Sequence, residues 1–144
     1  MAFEKVYFAL GSNIEPRSRH LEEAIRRMSE SFGSQPEAIS QTYDNPAVGF
    51  SGRDFLNCAV RYSLDRDPFE VLKACKDIEK SMGRDIEVRY DTDGRRIYTD
   101  RVIDIDIIYY GDRVIDTPSL TVPHPRAVSR PFVQIPLRGI MEND

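Results

Sequence analysis

The chain has 144 residues, of which 40% are hydrophobic and 31% charged, and this balance is typical of one globular domain rather than a disordered or fibrous chain. A formal net charge of −4 gives no long-range attraction to nucleic acid, and no apolar run reaches the ~20 residues that cross a bilayer, so neither nucleic acid nor a membrane is expected as a partner. The N-terminus lacks the pattern of a signal peptide, so we expect a single cytoplasmic domain over residues 1–144, with its two cysteines as reduced thiols.

The first elements are predicted as a strand followed by a helix. A short apolar run over residues 5–11 predicts the strand, and polar turn residues follow it. Apolar residues at helical spacing from Leu21 to Phe32 predict the helix, with Pro16 in its first turn and Gly33 at its end.

Two further strands and a second helix follow. The strands are predicted over residues 38–43 and 55–64, separated by a loop over residues 45–52 that contains Pro and Gly. An Asp-Pro pair begins the helix, which is predicted over residues 67–82 and ends before a glycine.

The last third of the chain completes the predicted fold. Residues 85–100 are strongly charged and predict a long mobile loop, residues 102–110 predict a strand, residues 114–115 a small hairpin, and residues 131–140 a short closing helix. The order β-α-β-β-α-β predicts an α+β protein with a ferredoxin-like core, in which helices pack on an antiparallel-rich sheet to form an α/β sandwich.

The strand over residues 102–110 contains the most informative pattern. Asp104 and Asp106 alternate with isoleucines, so both carboxylates are predicted on one face of the strand and the isoleucines on the other. Two carboxylates ~6.6 Å apart along a strand can share one metal ion or bind two ions ~3.5 to 4 Å apart, as phosphoryl-transfer sites require. The alternative is that both line the wet face of an edge strand.

Basic residues flank this acidic pair. Arg84 follows the second helix, Arg101 precedes the acidic strand and Arg130 follows a Pro-rich turn, so three guanidinium groups could bind phosphate beside a Mg²⁺ site. His124 lies between two prolines, in a rigid turn suited to donating a proton or a hydrogen bond to a phosphate. Each of these residues taken alone is better explained by surface solvation or packing, so the interpretation depends on their convergence.

Two phenylalanines and an asparagine suggest a site for a flat heterocycle. Phe55 and Asn57 alternate on a strand and so point the same way, pairing an apolar ring with an amide that both donates and accepts hydrogen bonds. Phe132 can supply a second ring. The alternative is that both rings belong to the core.

These motifs occur together and in a recognisable order. They are Ala9-Leu10-Gly11-Ser12-Asn13, Phe55-Leu56-Asn57-Cys58-Ala59-Val60, Ile78-Glu79 with Gly83-Arg84, Arg101-Val102-Ile103-Asp104-Ile105-Asp106, and Leu120-Thr121-Val122-Pro123-His124-Pro125 with Arg130-Pro131-Phe132. The combination resembles the 6-hydroxymethyl-7,8-dihydropterin pyrophosphokinase family of folate biosynthesis. The resemblance implies an enzyme that moves the β,γ-diphosphate of ATP as one unit onto the pterin hydroxymethyl group and releases AMP.

The resemblance also implies roles for individual residues on the nucleotide side. Asp104 and Asp106 would bind two Mg²⁺ ions that bridge the ATP phosphates and the acceptor hydroxyl, while Arg84 and Arg101 would contact the triphosphate. These four are the expected catalytic residues, and the two aspartates are the expected metal ligands. The residues implied in ATP binding are Glu79, Arg84, Arg101, Ile107, Thr121, His124 and Arg130.

On the acceptor side, the resemblance implies a sandwich of the pterin between Phe55 and Phe132, with Asn57 reading the polar edge of the ring. The complete set implied in pterin binding is Asn45, Ala47, Val48, Phe55, Asn57 and Phe132. ATP and 6-hydroxymethyl-7,8-dihydropterin are therefore the expected partners of a monomeric protein. No general base is assigned, because coordination to Mg²⁺ lowers the pKa of the acceptor hydroxyl.

Two other functions compete with this one. A non-catalytic nucleic-acid-binding module can use the same element order, but it predicts a basic sheet surface and a motif of a basic residue, Gly and Phe that this chain lacks. Another pterin-binding protein, such as the aldolase of the same pathway, would not need the pair Asp104 and Asp106.

The chain also departs from the family pattern in the charged loop. Thr99-Asp100 stands where a Gly-Pro pair usually precedes the arginine, here Arg101. The chain contains no Trp, so Tyr90 or Tyr98 is the candidate for the aromatic residue usual in this loop. These departures concern loop closure and nucleotide affinity and leave the acidic pair intact.

Overall fold

The computed structural model describes residues 2–45, 54–83, 89–90, 92, 96–97 and 102–141, with the backbone alone at residues 89–90, 96–97 and 128. Within those ranges, no helix has the length and apolar character that a membrane crossing requires.

Helices and antiparallel strands alternate along the chain. The strands are β1 (Glu4–Ser12), β2 (Ala38–Ile39), β3 (Tyr43–Asn45), β4 (Phe55–Leu64), β5 (Arg89–Tyr90), β6 (Arg96–Ile97), β7 (Asp104–Tyr110), β8 (Ile115–Asp116) and β9 (Thr121–Val122). The helices are α1 (Arg17–Phe32), α2 (Pro68–Ser81) and α3 (Pro131–Arg138), with a 3₁₀ turn at Ala127–Ser129. The predicted α+β class and sandwich architecture are confirmed.

One five-stranded antiparallel sheet organises these elements. Its strand order is β2-β4-β1-β7, and β3 also pairs with β4. Strand β1 lies at the centre and pairs with β4 along its whole length, from Glu4 opposite Leu64 to Ser12 opposite Leu56. Among the described strands, β7 pairs with β1 and forms one edge of this sheet. Two short ladders, β5 with β6 and β8 with β9, lie outside it.

The ends of the two long helices follow from local chemistry. Gly33 ends α1 in the left-handed region at a φ of 67°, and its N–H donates to the Ser29 carbonyl. At the start of α2, the Asp67 carboxylate accepts the N–H of Glu70 at 3.3 Å, and Pro68 occupies the first helical position.

The two faces of the sheet carry different layers. Helices α1 and α2 cover one face, where their apolar side chains pack against residues such as Phe8 and Val60. Helix α3 covers part of the other face, where Val133, Leu137 and Ile140 pack against a smaller cluster of sheet residues. Among the three described α-helices, α3 alone packs on this second face.

The structure differs from the predicted elements at two places. The strand predicted over residues 38–43 is divided into β2 and β3, because the Ser40 hydroxyl replaces a backbone group in the ladder and accepts the N–H of Ala59 at 2.8 Å. The charged segment 85–100 contains the ladder of β5 and β6. The predicted mobility of this segment and the loop over residues 46–52 lie outside the described residues.

Candidate functional site

Strand register brings small residues together in the middle of the sheet. Asp104 lies opposite Gly11 on β1, and Gly11 lies opposite Asn57 on β4. One step along, Asp106 lies opposite Ala9 and Ala9 opposite Ala59, forming a second row. Because directly paired residues of antiparallel strands project to the same face, these rows form a flat area with carboxylates at one side and an amide at the other.

The acidic pair projects from the face opposite to α1 and α2. Ile105, between the two aspartates, is buried in the core under those helices, whereas Asp104 is half-buried and Asp106 exposed. This is the alternation that the sequence predicted. The alternation continues through Ile107, in the core under α1 and α2, and Ile108, in the cluster under α3. It breaks at an irregularity in register between Ile107 and Tyr109, so that Ile108 and Tyr109 both pack with the cluster under α3.

A cavity of about 310 Å³ adjoins Asp106, one residue of the acidic pair. Its wall includes Asp106 together with Ile107, Thr121 and His124, three of the residues expected to contact the nucleotide. The other residues lining it are Leu72, Lys76, Ile105, Pro118, Ser119, Leu120, Pro125 and Arg126. The cavity therefore combines apolar walls, one carboxylate and several hydrogen-bonding or basic side chains.

His124 makes two hydrogen bonds with backbone groups, one through its ring and one through its own backbone N–H. Its Nδ1 accepts the N–H of Ala127 at 3.2 Å, and its own backbone N–H donates to the Ile108 carbonyl at 3.0 Å. Burial, followed by the positive charges of Arg130 and Arg126, lowers the pKa of the imidazole. A neutral ring whose Nδ1 accepts a hydrogen bond carries its proton on Nε2, so Nε2 is the hydrogen-bond donor.

Glu79 lies behind β7 rather than in the wall of the cavity. It is only 2% exposed, and its Oε2 accepts the backbone N–H of Ile105 at 2.8 Å. The ammonium nitrogen of Lys76 lies 3.4 Å from its Oε1. Burial, and then the negative charge of Glu79, raises the pKa of the neighbouring Cys75 thiol. The negative charge of Asp106 raises the pKa of this thiol further.

At the other side of the flat area, Gly11 allows close packing of Phe55 and Asn57. A Cβ atom built on Gly11 would lie 2.8 Å from Oδ1 of Asn57 and 3.4 Å from Cδ1 of Phe55. Asn57 is buried, and Phe55 is half-buried beside it. The amide and the ring therefore occupy the space that any side chain at position 11 would need.

Arg130 and Phe132 meet at the start of α3. The guanidinium carbon of Arg130 lies 5.6 Å from the centroid of the Phe132 ring, a cation–π distance. Phe132 also packs against the cluster under α3. This contact links a residue expected on the nucleotide side to one expected on the pterin side.

Comparison with known proteins identifies the family. The model of the family described as 7,8-dihydro-6-hydroxymethylpterin-pyrophosphokinase (HPPK) matches residues 7–142. The chain belongs to the HPPK family. The resemblance stated from the sequence motifs is confirmed.

Relatives of the chain differ in length. It is 35% identical over 137 residues to the Bacillus subtilis (strain 168) protein named 2-amino-4-hydroxy-6-hydroxymethyldihydropteridine pyrophosphokinase, a match that covers 94% of this chain and 77% of that protein. It is 41% identical over 139 residues to the mitochondrial folate synthesis bifunctional protein of Pisum sativum, covering 96% of this chain and 25% of that protein. The chain thus spans about a quarter of the pea protein.

Not all residues expected from the HPPK resemblance can be located. Arg84, Arg101, Ala47 and Val48 lie outside the described residues. Asn45 is described, as the last residue of β3, where it pairs with Phe55. The remaining expected residues divide between the cavity, the flat area and the start of α3, apart from Glu79.

Sequence reasoning missed two kinds of residue at this candidate site. Gly11 was placed at the end of the first predicted strand and given no role, although a glycine at the end of an apolar strand run can signal close approach of another group. Leu72 and Lys76 lie one helical turn apart on α2 and both line the cavity. Their i, i+4 spacing was the available signal, but nothing in the sequence shows that this face of α2 meets β7.

Proposed function

We propose that the chain transfers the β,γ-diphosphate of ATP to the hydroxymethyl oxygen of 6-hydroxymethyl-7,8-dihydropterin and releases AMP. The observation that carries this proposal is the placement of Asp104 and Asp106 at one side of the flat area of small residues, with Asp106 also in the wall of the 310 Å³ cavity. A diphosphate donor and a flat acceptor bound on these two sides would meet at the carboxylates. Membership of the HPPK family supports this class of reaction.

The donor set at the acidic pair fits Mg²⁺ carried by a nucleotide. Within the part of the chain that the structure describes, no group of three or more His, Cys, Asp or Glu side chains is placed to hold a metal. Mg²⁺ commonly takes one or two carboxylates and completes its octahedron with water and substrate phosphates. We propose two Mg²⁺ ions at Asp104 and Asp106; when bound, they neutralise developing charge on the phosphates and lower the pKa of the acceptor hydroxyl.

The cavity supplies the nucleotide side. Its apolar walls, including Leu72 and Ile107, suit a purine base, and the Nε2–H of neutral His124 can donate to a phosphate oxygen without adding charge. Arg84 and Arg101 keep their expected role as triphosphate contacts. Together these groups would hold the α- and β-phosphates while charge accumulates on the oxygen that bridges them.

The flat area supplies the acceptor side. The pterin would lie between Phe55 and Phe132, with Asn57 hydrogen-bonded to its polar edge. Its hydroxymethyl oxygen attacks the β-phosphorus in line and loses its proton to solvent. The bond from this phosphorus to the α–β bridging oxygen breaks, and AMP leaves with that oxygen. The catalytic contribution of the chain is then positioning and electrostatic stabilisation. The monomeric state and cytoplasmic location expected from the sequence stay predictions.

An AMP-release assay with ATP, Mg²⁺ and the dihydropterin alcohol tests the proposal. Asp104→Ala and Asp106→Ala should each lower turnover by roughly 10²- to 10³-fold, since either change removes a group that stabilises charge in the transition state. Thermal unfolding of the metal-free variants checks that each keeps the fold. Asp112→Ala is the matched control, since Asp112 is exposed in the turn after the same strand. Near-normal AMP formation by either active-site variant would refute the assignment.

A further inference from the structure

The acidic pair lies on an edge strand, so its backbone needs support from outside the sheet. In an antiparallel ladder, the backbone groups of successive residues point alternately to the two sides of the strand. The N–H of Ile105 donates to Glu79 on α2 and therefore points away from β1. By the same alternation, the backbone groups of Asp104 and Asp106 point toward β1.

Glu79, which accepts the Ile105 N–H, is a buried carboxylate. A buried carboxylate loses its hydration, which costs several kcal/mol unless charged or polar partners compensate it. Here the compensation includes the charge-assisted bond from the Ile105 N–H at 2.8 Å and the Lys76 ammonium at 3.4 Å. An apolar residue at this position would leave the Ile105 N–H without this acceptor, so the carboxylate both satisfies a buried backbone donor and ties β7 to α2.

We propose that Glu79 is a positioning residue for the metal site: by holding the Ile105 amide, it fixes the backbone from which Asp104 and Asp106 project. This inference rests on the proposed function and assigns Glu79 a role through the strand rather than a contact with the nucleotide. Groups that hold metal ligands in place commonly change metal affinity or activity by 10- to 100-fold when they are removed.

Two substitutions of Glu79 test the role of its hydrogen bond to Ile105. Glu79→Met fills a similar volume but has no oxygen to accept the Ile105 N–H. Glu79→Gln keeps an accepting oxygen and removes the charge. Asp77→Met and Asp77→Asn are the matched controls, because Asp77 lies two residues earlier on α2 and is an exposed partner of Lys73.

Two measurements need no pterin. The first is hydrogen exchange of the Ile105 amide in the metal-free protein. We expect this amide to be protected in wild type and in Glu79→Gln. In Glu79→Met we expect its protection factor to fall roughly 10-fold, with the protection of β4 amides unchanged. The second is Mn²⁺ binding, followed by electron paramagnetic resonance in the presence of α,β-methylene ATP. The apparent Kd should rise roughly 10-fold in Glu79→Met and stay within about 3-fold of wild type in Glu79→Gln.

Turnover then separates positioning from folding. Glu79→Met should lower kcat roughly 10-fold or more, with little change in the KM for pterin, and Glu79→Gln should restore it. Unchanged Mn²⁺ binding in Glu79→Met, or equal damage from Gln and Met, would overturn the proposal. So would an unprotected Ile105 amide in the wild type, a result that needs no variant to fold. If the wild type releases no AMP, the proposed function fails while the exchange and Mn²⁺ measurements still decide the role of Glu79.

Discussion

Gly11 offers a direct test of how the acceptor side of the site is built. Replacing it with alanine would place a Cβ atom 2.8 Å from Oδ1 of Asn57 and 3.4 Å from Cδ1 of Phe55. Ordinary van der Waals contact begins near the second of these distances, so the Asn57 amide would have to move by about 0.6 Å, while Phe55 could stay. The perturbation therefore falls on the side chain proposed to read the polar edge of the pterin.

The free-energy cost of Gly11→Ala can be divided between folding and pterin binding. Adding a methyl group to a closely packed position typically costs about 1 to 3 kcal/mol. Asn57 is buried, so we expect Gly11→Ala to lower the free energy of unfolding by about 1 kcal/mol. Displacement of the amide from its hydrogen-bonding position should weaken pterin binding by about 1.4 kcal/mol, a 10-fold rise in Kd. ATP binding should change little, because neither contacted atom belongs to the cavity lining.

Initial rates with each substrate varied in turn, and calorimetry with α,β-methylene ATP present, would measure these effects. Gly139→Ala is the matched control: its Cβ would lie 3.4 Å from the Pro136 carbonyl oxygen, beyond the end of α3. It should leave the KM for pterin unchanged. If Gly11→Ala also leaves pterin binding unchanged while lowering stability, then Asn57 does not read the pterin and the reasoning is wrong.

Two further predictions concern aromatic stacking and pH. Phe55→Ala and Phe132→Ala should each weaken pterin binding by about 1 to 3 kcal/mol, by analogy with stacking of bases on aromatic side chains; calorimetry that shows no change in either variant would assign both rings to the core. Because the folded state lowers the pKa of His124, the neutral ring contributes stability that is complete above its unfolded pKa of about 6.5 and is lost as the pH falls through its folded pKa. Urea unfolding at pH 7.5 and 5.0 should therefore show wild type losing more stability on acidification than His124→Gln, and equal losses would contradict the assigned cause.

The elements that could be predicted from the sequence are those specified by local chemistry. Strand β4 has its predicted bounds, and α1 ends at Gly33 because the last turn requires a left-handed residue there. The alternation of Asp104 and Asp106 with isoleucines likewise predicted which side of β7 faces the core. In each case, the residues that determine the outcome lie within a few positions of one another.

The features that sequence reasoning missed depend instead on pairing between distant segments. By local pattern Gly11 only ends the first predicted strand, and only the register of β1 against β4 shows that it makes room for Asn57. Similarly, the division of the strand predicted over residues 38–43 depends on a hydroxyl of Ser40 bonding across to β4. A one-residue change in register would move each of these contacts to the opposite face, so no local pattern contains them.

Glu79 shows how local sequence pattern and contacts between distant segments combine at the candidate site. The family motif included this residue, and its buried position on α2 would ordinarily suggest an apolar side chain. The bond to the Ile105 N–H explains the carboxylate, because no other strand among the described residues accepts this donor of β7. Strand β7 thus carries Asp104 and Asp106 toward one face while its backbone is held by β1 on one side and by α2 on the other. If the two aspartates bind metal as proposed, their precise placement depends on both supports, since the alternation of residues fixes which face they share but not how far apart their carboxylates are held.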